Sequence, residues 1–144
     1  MRWRPLVALA ATLLLVSGCK VRLLDDYSAE SEEALLRTYG EVEALFDVIA
    51  EAPDSARAYP RYAARYGDIQ RMIRVQVVRE ASRPLNSESH GIVAEIDTVF
   101  TGYRERHRTQ GAPAAVILTR WRNNMQRMFT AALKAERVKR DEPD

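Results

Sequence analysis

The chain has 144 residues, of which 47% are hydrophobic and 29% charged, which fits one globular domain with a core and excludes a disordered chain. The formal charge is +2, but two of the 22 basic residues, Arg2 and Arg4, lie in a segment that we expect to be removed, which leaves 20 basic and 20 acidic residues. This balance argues against nucleic-acid binding, which needs a net basic face. Cys19 is the only cysteine, so no internal disulfide can form.

Residues 1–18 have the layout of a secretory signal peptide. A basic head with Arg2 and Arg4 is followed by an uncharged apolar run over residues 6–16 and then by two small residues, Ser17 and Gly18. A transmembrane helix needs about 20 apolar residues, so a membrane span is the poorer alternative. We therefore expect cleavage before Cys19.

The residues Val16-Ser17-Gly18-Cys19 resemble the lipobox of bacterial lipoproteins. The resemblance implies a diacylglyceryl group and an N-acyl chain on Cys19, and two or more acyl chains hold a protein stably on a membrane. The alternative is an ordinary signal peptide with a cysteine near its cleavage point by coincidence. Lys20 is not the aspartate that resembles an inner-membrane retention signal, so the resemblance favours the periplasmic face of the outer membrane.

After a tether over residues 19–27, the chain predicts an all-α fold. Four segments place apolar residues at spacings of three and four, as in helices packed on one face. Short connections make neighbouring helices antiparallel, which predicts an up-down-up-down four-helix bundle over residues 28–140 and a polar tail at 141–144. No alternating apolar and polar run competes as a strand.

The first two predicted helices are separated at Pro53-Asp54. Ser28 or Ser31 is expected to cap the first helix and Asp54 or Ser55 the second, with Pro60 inside the first turns of the second. The core stripe of the first is Leu35, Tyr39, Val42, Leu45, Phe46 and Ile49. The core stripe of the second is Tyr59, Tyr62, Tyr66, Ile69, Ile73 and Val77.

The third predicted helix follows the break at Arg83-Pro84-Leu85-Asn86, where Asn86 or Ser87 can serve as the cap. Its core stripe is Ile92, Ile96, Val99, Tyr103 and His107. Gly111-Ala112-Pro113 ends it and places Pro113 near the first position of the fourth helix. The stripe of that helix is Leu118, Trp121, Met125, Phe129 and Ala132, with Leu133 beside it.

Charge is unevenly distributed between the first two helices. Residues 20–54 contain ten acidic groups, whereas residues 55–85 contain seven arginines. One interpretation is pairing between adjacent helices, each exposed pair contributing less than about 1 kcal/mol. The other is a docking face for an acidic partner or lipid head groups, formed by Arg57, Arg61, Arg65, Arg71 and Arg74.

Aromatic side chains also allow two interpretations. Tyr59, Tyr62 and Tyr66, interleaved with arginines, are either a ligand platform or core residues whose hydroxyls reach the rim. Trp121, between two arginines, has the same two interpretations. We count the arginines Arg57, Arg61 and Arg65, the three tyrosines and Trp121 as the candidate partner or ligand surface.

Signatures of catalysis are missing from the sequence. It has no Gly-rich phosphate loop, no His-Glu-x-x-His and no nucleophile elbow. The histidines His90 and His107 lie at opposite ends of the third predicted helix, too far apart for a shared metal, and His107 is expected to be a helix-end residue with a satisfied ring. We therefore predict no enzyme activity, no cofactor and no metal.

Several features resemble a loosely defined set of uncharacterised bacterial lipoproteins with a helical periplasmic domain. They are Asp26-Tyr27, Phe46, Tyr59, Tyr66, Arg79, Pro84-Leu85-Asn86, His107 and Leu133-Lys134-Ala135-Glu136. This resemblance implies the helical architecture and no particular activity.

Two functions remain open from the sequence. The first is a membrane-anchored, non-enzymatic module in the cell envelope that binds a protein partner. The alternative is a small-ligand-binding bundle with a cavity lined by Tyr59, Tyr62, Tyr103 and Trp121.

Overall fold

The computed structural model describes residues 25–141, which form four α-helices and contain no strand. The helices are α1 (Ala29–Glu51), α2 (Ala63–Ser82), α3 (Ser87–Gln110) and α4 (Ala115–Asp141). The all-α prediction is thus confirmed. The predicted signal peptide, Cys19, the tether as far as residue 24 and the tail at 142–144 lie outside the described residues. Within the described part, no helix combines the length and apolarity needed to cross a membrane.

The helices pack as a bundle in which α1 and α3 each contact both α2 and α4. The stripes predicted for the first and fourth helices form much of the core, and all five stripe residues of α4 are buried. Hydrophobic burial at such positions is worth about 1.5–3 kcal/mol for each large side chain. The buried hydrophobic residues are Leu35, Val42, Leu45, Phe46, Ile49, Tyr62, Tyr66, Ile69, Ile73, Val93, Ile96, Phe100, Leu118, Trp121, Met125, Phe129 and Ala132.

The second helix begins later than the sequence predicts. Two 3₁₀ turns, Asp54–Ala56 and Tyr59–Arg61, precede α2, so the expected cap at Asp54 or Ser55 is wrong and Pro60 lies in the second turn. The reason is that an interior proline lacks an amide donor and clashes with the carbonyl of the preceding turn. A short 3₁₀ turn, closed by the Tyr62 amide on the Tyr59 carbonyl at 2.9 Å, avoids that conflict.

The third helix buries a wider face than the predicted stripe, of which Ile96 and His107 are buried. Val93 and Phe100, which the predicted stripe omitted, are buried, whereas Ile92, Val99 and Tyr103 are half-buried at its flank. The physical reason is that α3 packs on α2 and α4 at once, so its buried face is wider than one narrow stripe.

Ser28 and Asn86 occupy predicted cap positions, but only Ser28 makes the side-chain hydrogen bond of a cap. Ser28 caps α1 by accepting a hydrogen bond from the Ser31 amide at 3.1 Å. Asn86 occupies the cap position of α3 but makes no side-chain cap bond there. Pro113 precedes α4 by two residues, and the Ala114 carbonyl accepts the first helical hydrogen bonds.

Candidate functional site

The three candidate tyrosines surround His107 inside the bundle. The ring centroids of Tyr59, Tyr62 and Tyr66 lie 5.6, 6.0 and 5.6 Å from that of His107. Tyr62, Tyr66 and His107 are buried, and Tyr59 is half-buried with its hydroxyl accepting from Arg104. The tyrosines therefore pack as core residues around an imidazole.

Hydrogen bonds fix the tautomer of His107. Its Nε2 lies 2.7 Å from the Arg57 carbonyl oxygen, which can only accept, so Nε2 carries the hydrogen. Its Nδ1 then accepts from the Tyr66 hydroxyl at 3.2 Å. Burial, with a smaller effect of Tyr59, raises the pKa of Tyr66, which keeps that hydroxyl protonated. Burial also lowers the pKa of His107 below its ordinary value of 6.5, against the opposing effect of the Arg57 carbonyl.

The candidate arginines of the second segment have separate contacts. Arg57 donates to the carbonyls of Ala50 and Ala52 at 2.9 and 2.7 Å, and so satisfies acceptors at the carboxyl end of α1. Arg65 lies 3.6 Å from Glu41, and Arg61 is exposed. The structure therefore does not join these three arginines into one face with the tyrosines.

The remaining arginines of the predicted docking face are paired. Arg71 pairs with Asp68 in its own helix, and Arg74 lies 3.5 Å from Asp97 of α3. Acidic groups of α1 pair with α4 as well as with α2. The contacts with α4 are those of Glu43 and Asp47 with Arg122, and of Glu32 with Arg137 and Arg140.

The last candidate, Trp121, belongs to a groove between α3 and α4. The groove has a volume of about 690 Å³ and lies at the end of α3, the connection after it and the first turns of α4. We call it the arginine groove. Its lining residues are Tyr103, Arg106, Gln110, Gly111, Ala112, Pro113, Ala114, Ile117, Arg120, Trp121, Asn123, Asn124 and Arg127.

An aromatic stack forms part of the groove wall. Tyr103 stacks on Trp121 with ring centroids 4.6 Å apart and an angle of 11° between the rings. Asn124 donates to the Tyr103 hydroxyl at 2.8 Å and accepts from Arg127 at 3.1 Å. This chain of hydrogen bonds fixes the tyrosine ring against the buried tryptophan.

The charge of the groove is entirely positive. Arg106, Arg120 and Arg127 line it, no lining residue is acidic, and none of the three arginines has an acidic partner within residues 25–141. All three are exposed. Because each guanidinium keeps its charge at any physiological pH, the groove carries three positive charges available to a ligand.

A second group of charged residues is buried where the ends of all four helices meet. We call it the tether cluster, because it includes Asp25 of the predicted tether, residues 19–27. Its members are Asp25, Ser31, Glu80, Arg83, Asn86, Glu136 and Lys139. The side chains of Glu80, Glu136 and Lys139 are only 3%, 2% and 4% exposed, values typical of apolar core residues.

Arg83 is the centre of the tether cluster. It donates to Asp25 at 2.5 Å, to Glu80 at 3.1 Å and to Glu136 at 3.2 Å, and it also bonds the Asp26 carbonyl. Burial alone would lower the pKa of Arg83, but its bonds to Glu136 and Asp25 outweigh that effect and raise it. The guanidinium is thus held as a cation.

Glu136 ties the opposite ends of the described chain together. Its carboxylate accepts from the Ser28 amide at 2.6 Å and from Lys139 at 2.6 Å. Lys139 also donates to the Asn86 side chain, which in turn donates to Glu80 at 2.6 Å. No buried side-chain nitrogen or oxygen of the cluster lacks a hydrogen-bond partner, as a buried charge network requires.

Sequence reasoning named Tyr103 and Trp121 as possible ligand contacts, but it missed the groove as a positively charged site and missed the tether cluster. Within the described residues, no three His, Cys, Asp or Glu side chains are placed to hold a metal ion. The chain matches no protein-family model, and no curated protein or solved structure is significantly similar to it. The lipoprotein assignment therefore stays a prediction from the N-terminal residues.

Proposed function

We propose that this chain is a lipid-anchored lipoprotein of the bacterial envelope whose helical bundle is a non-enzymatic module that binds a protein partner. The observation that carries the proposal is the placement of two features on α3. The helix begins at Ser87, next to Asn86 of the tether cluster, and ends at Gln110 in the arginine groove. The arginine groove, whose three arginines have no acidic partner within residues 25–141, thus lies at the end of α3 that is remote from the tether.

Chain length favours an orientation relative to the membrane. Only residues 20–24 separate the predicted lipid on Cys19 from Asp25, which is fixed to Arg83. Six residue steps span at most about 22 Å, so the cluster end stays near the lipid head groups. The 24 residues of α3 extend about 36 Å, which separates the groove from the end of the bundle that is anchored.

Pairwise contacts support the alternating helix directions that this orientation assumes. Ser31 at the start of α1 contacts Glu80 at the end of α2 (2.7 Å), and Thr38 contacts Gln76. Glu32 contacts Arg137 at the end of α4, whereas Asp47 contacts Arg122 near its start. We infer an up-down-up-down order from these contacts.

Lipidation is tested by metabolic labelling with a fatty acid and by membrane fractionation of the Cys19→Ala variant. We expect labelling to disappear and the uncleaved or mislocalised precursor to accumulate. Unchanged labelling and fractionation would refute the anchored lipoprotein.

Partner binding is tested by site-specific crosslinking in cells. A photoreactive amino acid replaces Arg120 in the groove or, as the matched control, the exposed Arg71 of α2. We expect one crosslinked protein from position 120, absent from position 71 and lost in the Cys19→Ala background. The same products from both positions would contradict a docking surface at the groove.

Small-ligand binding is the second candidate function. It is supported by the groove volume of about 690 Å³, since small-molecule sites commonly have about 300–1,000 Å³, and by the stacked Tyr103 and Trp121. Tyr59 and Tyr62, which the sequence placed in the same cavity, instead surround His107. A small molecule that co-purifies with the protein and is lost in Trp121→Ala would favour this function.

A further inference from the structure

We propose that the arginine groove binds an extended, carboxylate-rich peptide segment of a partner protein. This inference rests on the proposed binding function and names the chemistry of its partner. It follows from the charge of the groove, the spacing of its arginines and its open shape.

Positive charge is concentrated at the groove although the chain as a whole is nearly neutral. From residue 106 to residue 135 the sequence contains no Asp or Glu. The basic residues of this stretch are Arg106, Arg108, Arg120, Arg122, Arg127 and Lys134. Arg108 and Arg122 are paired with acids outside this stretch, whereas the three groove arginines have no acidic partner within residues 25–141. Charge complementarity therefore calls for an anionic occupant.

The spacing of the arginines suits several carboxylates rather than one. Arg120 and Arg127 are seven residues apart on α4, which puts them on one face about 10 Å apart along the axis. Arg106 lies across the groove on α3. Side chains on one face of an extended peptide repeat about every 7 Å, so acidic residues two to four positions apart reach separate guanidinium groups. Each guanidinium can hold a carboxylate with two parallel hydrogen bonds.

The shape and lining of the groove favour a peptide over a compact anion. The groove is open to solvent, with Arg106, Arg120 and Arg127 all exposed, so a small molecule would stay largely wet. Ligand sites for small molecules usually bury most of the ligand surface. Gln110 and Asn123 add amide groups that can bond a peptide backbone, and Ile117 with the Tyr103–Trp121 stack can contact an apolar side chain.

The test measures fluorescence anisotropy of labelled peptides with the full chain purified in mild detergent. The probe is a peptide of about eight residues in which Asp and Glu alternate with small residues, and its control carries Asn and Gln instead. We expect binding of the acidic probe that is at least about tenfold tighter than that of the amide control. Raising the salt from about 50 mM to about 300 mM should weaken it, because exposed charge pairs are screened.

Two double variants of equal charge locate the binding. Arg120→Gln with Arg127→Gln removes two groove cations, and we expect affinity for the acidic probe to fall by at least about tenfold. Arg37→Gln with Arg71→Gln removes two exposed cations paired within their own helices, so affinity should change by less than about twofold. Equal losses in both variants would mean a general charge effect and overturn the proposal.

Other results distinguish this inference from the broader function. Equal affinity for the amide peptide, for citrate or for single-stranded DNA would overturn the acidic-peptide assignment. A crosslinked partner at position 120 together with no acidic-peptide binding would leave the docking module standing and refute only its chemistry. Acidic-peptide binding without any crosslinked partner would refute the envelope function and leave the groove chemistry intact.

Discussion

At the tether end of the bundle, three carboxylates and two cations form a largely buried cluster whose polar atoms are paired. At the groove end, three arginines face solvent without an acidic partner in the described chain. Both regions are rich in charge, and both lie where helices end. They differ in what the charges contact. A buried charge that has lost its water needs all its partners inside the protein, and an exposed one does not.

The charges of the tether cluster stabilise the fold, whereas those of the arginine groove are available for binding. The excess carboxylate of the tether cluster lies near the amino ends of α1 and α3, where the helix dipoles favour negative charge. Arg83 and Lys139 lie at the carboxyl ends of α2 and α4, where the dipoles favour cations. The groove arginines have no acidic partner within residues 25–141, so their positive field extends into solvent.

The largest expected effect is at Glu136. In Glu136→Ala, the cations of Arg83 and Lys139 lose a buried carboxylate and the Ser28 amide loses its acceptor. Removing one partner of a buried ion pair costs about 3–5 kcal/mol. Urea unfolding followed by far-UV circular dichroism should show this loss in the free energy of unfolding.

The matched control is Glu33→Ala in α1. Glu33 pairs with Arg37 one turn away, and both side chains are mostly exposed. Such a pair is worth about 0.3–0.5 kcal/mol. Similar losses of stability in Glu33→Ala and Glu136→Ala would show that the buried charges of the tether cluster stabilise the fold no more than an exposed ion pair does.

The second-largest effect on stability is expected at Gly111, whose backbone lines the arginine groove. Gly111 has φ 83° and ψ −163°, a conformation that side chains strongly disfavour, although a Cβ there would meet no atom within 4 Å. Gly111→Ala should therefore destabilise the protein by about 1–3 kcal/mol through backbone strain alone. Thermal unfolding would measure this, and a stability equal to the wild type would mean that the connection adopts another conformation.

Gly102→Ala is the control for that substitution. Gly102 is exposed within α3 and its Cβ would also meet nothing within 4 Å. Alanine is favoured over glycine inside a helix by about 1 kcal/mol. The two substitutions should thus change stability in opposite directions.

A smaller effect is expected when pH is varied around the buried imidazole. His107 has a lowered pKa, so the unfolded chain binds the proton more readily than the folded one. The stability contributed by the neutral ring is complete above the ordinary pKa of 6.5 and is lost as the pH falls below it. The free energy of unfolding can change by at most about 1.4 kcal/mol per pH unit when a single proton is bound.

This dependence is measured as the urea midpoint between about pH 7.5 and about pH 5.5, on either side of that pKa. In His107→Gln the absolute stability falls, but the decrease on acidification should become shallower. An unchanged slope would assign the pH dependence to other groups.

The helical fold could be predicted because it depends on local periodicity. The stripe from Leu118 to Ala132 was confirmed residue by residue, since each helix position follows from its spacing to the last. The start of α2 was predicted wrongly because 3₁₀ turns around Pro60 leave no periodic signal. The face of α3 was predicted too narrow, without Val93 and Phe100, because the helix packs on two neighbouring helices at once.

The two charged regions are harder to predict because they assemble residues far apart in sequence. Arg83 meets Glu136 across 53 positions. A signal was nevertheless present: Glu136 and Lys139 continue the core stripe of α4 after Ala132, at spacings of four and three. A charged residue at a core position indicates a buried partner. For the groove, the signal was the absence of acidic residues from 106 to 135.

The smallest effect on stability is expected for the groove arginines, and it most directly distinguishes the arginine groove from the tether cluster. Arg120→Gln with Arg127→Gln removes two charges, as many as the tether cluster has cations, yet neither arginine has an ion pair within residues 25–141 to lose. Arg127 loses one exposed hydrogen bond, to Asn124, and substitutions at exposed positions usually change stability by less than about 0.5 kcal/mol. Relief of repulsion between the like charges of the groove even favours a small gain. The free energy of unfolding should therefore match the wild type while affinity for an acidic peptide falls. A loss of stability comparable to that of Glu136→Ala would instead make the groove arginines structural, and the contrast between the two ends would fail.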